Sequence, residues 1–385
     1  MKILLISMHS IHSIRWIENL KNSGHHLYWF DISNRGKIDT LETVNQISDW
    51  KKRKLPYIKG EYWLSKKMPN LYSSIRSFME VTENEALEKV IKEIKPDVIH
   101  SFEMQAVTYP IVKTMNKYPE IKWIYSCWGN DLFYFQNIPY HKNRIKEVLK
   151  RVDYMHADCQ RDYPIAFKLG FKGTTLEVIP TGGGFKINEL EVYKLPNKDR
   201  KIILVKGYQN IFGRAINIIK ALERLTGKIT EYDVVIFGAH AVVQNYVAVN
   251  NLNYTVYGRH DLSHQQTMEL IGKSFLYIGN NISDGMPNTL LEAIIMEAFP
   301  IQSNPGNASA EIIEHGVNGF LINDPEDVES ISNLILEAIE KEKMREEGCR
   351  LNKKIALEKL DYNVNQQKIV ALYKKVEAGI ENNTF

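Results

Sequence analysis

The sequence predicts an α/β protein made of two Rossmann-like domains, for three reasons. A chain of 385 residues is too long for one ordinary hydrophobic core and fits two domains. Apolar runs of strand length at 2–7 and 201–207 each lead into a loop and a helical pattern, as doubly wound parallel sheets do. Between these runs, Pro180 and the three glycines at 182–184 interrupt the pattern, as a hinge requires. We therefore place the domain boundary at this hinge.

The first domain opens with the strand at 2–7, a polar loop, a helix at 14–21 and a second strand at 26–32. The loop carries His9 and Ser10, followed by His12. Loops are mostly exposed, so these side chains either face a cleft between the domains or lie on the surface.

Two acidic residues follow later strands of the first domain. The strand at 97–103 ends on Glu103, and the strand at 121–127 leads into a loop that contains Asp131. Ligands of parallel sheets bind outside the carboxyl ends of the strands, so we expect both carboxylates in the cleft. The alternative is that each one caps its own loop.

The second domain contains an apolar strand at 274–279, a polar loop and a helical run at 289–298. This order points free backbone amides and the positive end of a helix dipole at the loop, which suits a diphosphate. Asp284 lies on the loop and Glu292 about one helical turn beyond it, where both can accept hydrogen bonds from sugar hydroxyls. The alternative is an ordinary strand–loop–helix unit with a capping aspartate.

The segment 274–336 resembles the C-terminal half of the retaining family-4 glycosyltransferases, also called group 1 glycosyl transferases. The shared pattern is an acid, seven residues and a glutamate, here Asp284 and Glu292, then a glycine loop with Glu311 and an Asn-Gly turn at 318–319. This chain has Asp284 where that family usually has glutamate. The resemblance implies a GT-B fold, in which two Rossmann-like domains face a cleft and the last helix crosses back to the first domain. The implied ranges are 1–182 with 362–385 for the acceptor domain and 183–361 for the nucleotide-sugar donor domain.

The resemblance also implies roles for individual residues. Lys206 and Arg214 stand where relatives grip the donor diphosphate, although in inverted order and with a longer gap. Asp284 would hold the sugar hydroxyls, Glu292 the ribose, and Asp131 would face the acceptor. The other implied donor-binding positions are Gly285, Asn288, Thr289 and Leu290, and also Gly258, Arg259 and His260, where relatives contact the base. The expected acceptor-side residues of the cleft are His9, Ser10 and Glu103.

Composition limits the remaining functions. A net charge of +3 gives no reason to expect nucleic-acid binding. Three cysteines without paired spacing argue for a reducing compartment and against a disulfide framework or a zinc site. His260 and His264 have a metal-like spacing, but Ser263 with Gln266 fits a helix capping box better, so we expect no metal or other cofactor. No run is apolar enough to span a bilayer, and we expect a cytoplasmic protein.

The segment 51–67 is basic and contains several aromatic residues. It either attracts the protein to an anionic membrane surface, which would make it a peripheral membrane protein, or is an ordinary solvated face.

Taken together, these features predict a retaining glycosyltransferase that moves a sugar from a nucleotide-diphosphate donor to a glycan or lipid-linked acceptor, in bacterial surface polysaccharide assembly. One alternative is a nucleotide-sugar epimerase of the same fold. Another is a non-catalytic partner that binds nucleotide sugars, suggested by Asp284 and by the absence of glycine from the first loop.

Overall fold

The computed structural model describes residues 1–381, apart from the side chains of Asn70 and Ser73. Residues 382–385 of the predicted crossing helix lie outside the described residues. Within the described chain are two sheets of seven and six strands, in which all of the strand pairs are parallel. The predicted pair of Rossmann-like parallel sheets is therefore confirmed.

The first sheet has the strand order β3-β2-β1-β4-β5-β6-β7. Because the chain returns to the centre of the sheet after β3, the order reverses between β1 and β4, and such a switch point is where α/β proteins bind ligands. The strands are β1 (Lys2–Ser7), β2 (His26–Asp31), β3 (Asn45–Ile47), β4 (Val98–Phe102), β5 (Lys122–Cys127), β6 (Tyr154–Ala157) and β7 (Thr174–Thr175).

The second sheet has the order β10-β9-β8-β11-β12-β13 and reverses between β8 and β11 in the same way. Its strands are β8 (Ile202–Lys206), β9 (Asp233–Ala239), β10 (Thr255–Gly258), β11 (Ser274–Gly279), β12 (Phe299–Ser303) and β13 (Phe320–Ile322).

Helices cover both faces of each sheet. Those of the first half are α1 (Ile11–Asn19), α2 (Glu61–Lys67), α3 (Pro69–Met79), α4 (Glu83–Ile94), α5 (Tyr109–Lys117), α6 (Asn130–Phe133), α7 (Pro139–Leu149) and α8 (Asp162–Lys168). The remaining ones are α9 (Ile187–Leu190), α10 (Ala215–Glu223), α11 (Ala241–Val249), α12 (His264–Gly272), α13 (Asn288–Ile295), α14 (Val328–Glu340), α15 (Glu342–Ile355) and α16 (Tyr362–Glu381). No helix within residues 1–381 has the length and apolar character to cross a membrane.

The last helix, α16, crosses back to the first sheet, as expected. Its Ile369, Leu372, Tyr373 and Val376 are buried in the same hydrophobic cluster as Trp16 of α1. The two chain crossings between the halves lie side by side, because Phe185 N donates to Leu360 O at 2.8 Å and Tyr362 N donates to Phe185 O at 2.8 Å. The hinge that we placed at 180–184 ends directly beside this double crossing.

Candidate active site

A cavity of about 490 Å³ lies between the two halves, at the carboxyl ends of strands from both sheets. The first half contributes the ends of β1, β5 and β6, and the second half those of β8, β9, β10 and β11. Ligands of parallel sheets bind at this end, so the cleft is the candidate site. Among the lining residues are Ile11, His12, Trp128, Asn130, Asp158 and Thr181 from the first half, and Lys206, Tyr208, Arg259, Asp284, Asn288, Thr289 and Glu292 from the second.

Two cations line the cavity beside one aromatic ring. Lys206 Nζ lies 4.7 Å, and Arg259 Cζ 4.5 Å, from the centroid of Tyr208. Arg214, which the sequence paired with Lys206, instead forms an ion pair with Glu326 and is not among the lining residues. The structure therefore brings together Lys206 and Arg259 rather than Lys206 and Arg214.

Asp284 lines the cavity on the loop that follows β11. Its carboxylate accepts hydrogen bonds from Asn281 Nδ2 at 2.9 Å and from Gly285 N at 3.0 Å. Burial raises the pKa of Asp284, and the positive charge of Lys206 opposes this rise. The loop thus fixes the carboxylate and leaves it within reach of a ligand.

Glu292 and Asn288 project from α13 into the cavity. Glu292 Oε1 lies 2.8 Å from His264 Nε2, and Asn288 Nδ2 lies 3.2 Å from Nδ1 of His12, a first-half residue. Burial, followed by the charge of Arg15, lowers the pKa of His12 to about 4, so the imidazole is neutral at pH 7 and accepts this bond.

The three backbone amides predicted to bind the diphosphate, at the start of α13, do not all face the cavity. Asn288 and Thr289 line the cavity, and their backbone amides have no hydrogen-bond partner within residues 1–381. Leu290 N donates to Pro287 O at 2.9 Å, and its side chain is buried in the core. Of the predicted base-binding group, Gly258 and Arg259 line the cavity, whereas His260 is exposed beside it.

Of the loop residues His9, Ser10 and His12, which the sequence placed either in the cleft or on the surface, His12 lines the cavity. His9 packs edge-on against Trp29 with ring centroids 6.1 Å apart, and Ser10 is the N-cap of α1, accepting from Ser13 N. Neither is among the lining residues, whereas His12 is. Because α1 begins at Ile11 rather than at Ile14, His12 lies in its first turn.

Asp131 and Glu103 hold their own loops together. Asp131 is buried and accepts from Tyr125 Oη at 2.6 Å and Trp128 N at 3.0 Å. Glu103 accepts from Gln105 N at 2.9 Å and Ala106 N at 2.6 Å. Burial raises the pKa of Asp131 to about 6 and that of Glu103 to about 7. Neither carboxylate is among the lining residues, so both occupy the capping positions that we considered as the alternative.

Asp158 lines the cavity, and the sequence reasoning missed it. Its Oδ2 accepts from Thr181 Oγ1 at 2.9 Å, while Oδ1 has no partner within the described residues. Burial, and then the charge of Asp162, raise the pKa of Asp158 to about 8. Asp158 directly follows β6, so the strand-end rule applied to Glu103 and Asp131 would also have found it.

Asp158, Cys159 and Asp162 form a buried cluster whose possible ligand atoms lie within 4.8 Å of one another. The guanidinium of Arg161 already pairs with Asp162 at 2.9 Å. The positive charge that this cluster needs is therefore supplied by an arginine, and the residues do not fit a metal site.

Comparisons with known proteins identify the family and the fold. Residues 2–158 match the glycosyl transferase 4-like family, and residues 187–353 match the glycosyl transferases group 1 family. No curated protein is significantly similar to the chain in sequence.

Solved structures with the same fold include HepE from Anabaena in complex with UDP and glucose, which has 15% identity and a TM-score of 0.66 over 97% of this chain and 100% of that one. Sucrose-phosphate synthase from Thermosynechococcus elongatus has 15% identity and a TM-score of 0.73 over 98% and 99%. A glycosyltransferase from Rickettsia africae has 14% identity and a TM-score of 0.63 over 97% and 98%.

These likenesses are distant and show the fold, whereas the two family matches together span most of the chain. The chain is therefore a glycosyltransferase of the group 1 type with a GT-B fold.

Proposed function

We propose that this protein is a retaining glycosyltransferase that moves a sugar from a nucleotide-diphosphate donor to a hydroxyl of a glycan or lipid-linked acceptor, in the assembly of bacterial surface polysaccharide. One observation carries the proposal: a single cavity contains cations, free helix-start amides and carboxylates, which are the groups that bind a diphosphate and a sugar. The structures of HepE in complex with UDP and glucose, and with UDP-glucose, support the choice of donor class.

In this proposal the second half binds the donor. Lys206 and Arg259, with the amides of Asn288 and Thr289, would stabilise the negative charge that grows on the leaving diphosphate. In other enzymes a bound metal ion supplies this stabilisation, and here the two cations would do so. Asp284 would accept hydrogen bonds from the sugar hydroxyls.

Glu292 would accept hydrogen bonds from the ribose, with its carboxylate held by His264. Retention of the anomeric configuration is part of the proposal because the Asp284-to-Glu292 spacing is that of retaining relatives. The anomeric proton coupling of the product, measured by NMR, checks this, and an inverted product would contradict it.

Turnover with a panel of nucleotide sugars, UDP-glucose among them, tests the donor site. The wild type is expected to release free nucleoside diphosphate from at least one of them. Lys206→Ala is expected to lower kcat/KM more than about tenfold, which is ~1.4 kcal/mol of transition-state stabilisation. Lys228→Ala, at an exposed position outside the cavity, is the matched control. Release that persists unchanged in Lys206→Ala would refute the role of this lysine.

Substitution of each arginine tests which of them helps Lys206 to bind the diphosphate: Arg214, as the sequence predicts, or Arg259, as the structure indicates. Arg259→Ala is expected to reduce kcat/KM more strongly than Arg214→Ala, because Arg259 lines the cavity and Arg214 is paired with Glu326 outside it. The same assay measures both variants. The opposite ranking would restore Arg214 to the diphosphate site.

We also propose that the segment 51–80 contacts an anionic membrane surface. Nineteen large hydrophobic side chains within residues 1–381 are exposed, and eight of them lie between positions 55 and 78. The most exposed of these eight are Tyr57, Tyr62 and Phe78, at 82%, 77% and 71%. The same segment carries four lysines without an ion-pair partner in the described chain, at positions 52, 59, 66 and 67. Exposed aromatics with unpaired cations fit the headgroup region of an anionic bilayer.

Sedimentation with vesicles of phosphatidylcholine and phosphatidylglycerol tests this proposal. Reversal of the four lysines to glutamate is expected to release the protein into the supernatant, since each basic residue contributes about 1 kcal/mol near such a surface. The control reverses four exposed lysines outside the segment, Lys113, Lys142, Lys168 and Lys172. Equal partitioning of the two variants would refute a specific membrane-facing segment.

A further inference from the structure

Arg161 belongs to the first half, but its side chain reaches into the second. It directly precedes α8, and its Nη1 donates to Asp284 O at 2.7 Å and to Pro305 O at 2.8 Å. The guanidinium lies 4.1 Å from the centroid of Phe133 and pairs with Asp162, so its side chain is only 6% exposed. A buried charge thus joins two loops of the opposite half.

The second half also contributes a charged side chain to this contact between the halves. The carboxylate of Glu311, in the second half, accepts from the backbone amides of Gln160 at 2.8 Å and Arg161 at 3.0 Å. One segment of the first half therefore donates to the second half through both its backbone and its side chain. Hydrogen bonds to charged groups are the stronger kind, and here one partner of each bond is ionised.

The loop that carries Asp284 is held by the first half along three consecutive residues. Ser283 Oγ donates to Asn130 Oδ1 at 2.5 Å, and Asp284 O accepts from Arg161. Gly285 lies against Asp158, because a Cβ at position 285 would come within 2.6 Å of both carboxylate oxygens. All three contacts would be lost if the halves moved apart.

We infer that Arg161 is a positioning residue, which holds the two halves closed and thereby sets the backbone of Asp284 beside the donor sugar. The role in transfer rests on the proposed function. Closure that completes a site is a common step in enzymes with two mobile halves. Arg161 does not line the cavity, so it acts through the loop and not on the substrate.

If Arg161 is a positioning residue, its loss should impair catalysis and leave nucleotide binding nearly unchanged. The donor used is the nucleotide sugar of the panel that the wild type turns over fastest. Arg161→Ala is expected to lower kcat for nucleotide release from it more than about tenfold, while the affinity for the matching nucleoside diphosphate, measured by calorimetry, stays within about threefold. Arg161→Lys, which can still donate to a carbonyl, is expected to recover part of kcat. Arg144→Ala is the control, since Arg144 pairs with the partly exposed Glu147 away from the cavity.

Small-angle scattering of the free protein gives a readout that needs no substrate. The radius of gyration is expected to increase in Arg161→Ala and to remain at the wild-type value in Arg144→Ala. Should Arg161→Ala fail to fold because Asp162 loses its partner, the double variant Arg161→Met with Asp162→Asn removes both charges and keeps the packing. It is expected to show the same expansion.

Two results would overturn the inference: an unchanged radius of gyration in a folded variant, or equal losses of kcat and of nucleoside-diphosphate affinity. If the wild type releases no nucleotide from any donor, the proposed function fails, and the scattering measurement alone then decides whether Arg161 holds the halves closed.

Discussion

Two carboxyl groups, that of the buried Asp158 and that of the half-buried Asp284, line the cavity from opposite halves. Burial raises both pKa values, and the pKa of Asp158 reaches about 8. At pH 7 Asp158 therefore holds a proton, which removes its repulsion of a charged Asp284 and lets it act as a hydrogen-bond donor. The first half thus presents a neutral acid to the cleft.

This protonation makes stability depend on pH. The unfolded pKa of an aspartate is about 3.9, so between about pH 4 and pH 8 the folded state holds a proton that the unfolded state has released. The contribution of Asp158 to the free energy of unfolding therefore falls as pH rises through this window. Asp158→Asn cannot titrate, and its loss of stability from pH 5 to pH 8 in urea denaturation should be smaller than that of the wild type. Asp199→Asn, at an exposed site, is the control, and an equal loss in Asp158→Asn would show that Asp158 is ionised.

At the residue scale, the strand–loop–helix order and the family resemblance together predicted Lys206, Asp284 and Glu292 at the cleft, and all three line the cavity. Sequence position does not fix where a long side chain points. Arg214 forms its ion pair with Glu326, which is 112 residues away in sequence. No local sequence pattern predicts a partner at this distance.

The element that organises the cleft is the loop between β11 and α13, which touches the first half at close range. Gly129 has φ +85°, and a Cβ there would fall on the backbone of Gly285. The two loops can approach this closely because neither position has a side chain.

A methyl group at this contact should keep the halves apart. Gly285→Ala is expected to lower kcat more than about tenfold with little change in affinity for the nucleoside diphosphate that the wild type binds, because the added methyl meets the Asp158 carboxyl group. Gly227→Ala is the matched control, since no atom lies within 4 Å of its added methyl. Steady-state kinetics and calorimetry measure both variants, and unchanged kcat in Gly285→Ala would mean that the contact is not needed for transfer.

Strands were easier to predict than helix ends. The apolar run at 274–279 coincides with β11, because buried parallel strands are continuously apolar. The helix predicted at 14–21 is observed at Ile11–Asn19, because Ser10 provides the N-cap, whereas the apolar stripe defined only the buried face.

At the scale of the whole molecule, α16 ties the end of the chain to the first sheet. Trp16 Nε1 donates to Tyr373 Oη at 3.1 Å, and that hydroxyl forms a second hydrogen bond with His100 Nδ1 at 2.5 Å, all within the core. A buried hydroxyl that satisfies two partners specifies where the helix docks.

Removal of this hydroxyl should destabilise the first half. Tyr373→Phe leaves Trp16 and His100 with unpaired polar atoms and is expected to lower the free energy of unfolding by ~1–3 kcal/mol. Tyr373→Ala, which also leaves a cavity, should cost ~3–5 kcal/mol. Urea denaturation measures both, with the exposed Tyr140→Phe as control. Equal stability of Tyr373→Phe and the wild type would mean that the hydroxyl does not anchor the helix.

The two-sheet architecture followed from the hydrophobic periodicity together with the family resemblance, and the returning helix followed from the resemblance. The distance between the two halves could not be predicted from the sequence. It depends on contacts such as Arg161 to Asp284, which join residues 123 positions apart.

Calorimetric titration with nucleoside diphosphates tests the central claim most directly. UDP, GDP, ADP and CDP are added in turn to the wild type and to Lys206→Ala. At least one of them should bind the wild type, with affinity about tenfold or more weaker in the variant. Binding of none of them, or equal binding to both proteins, would contradict a donor site at this cavity.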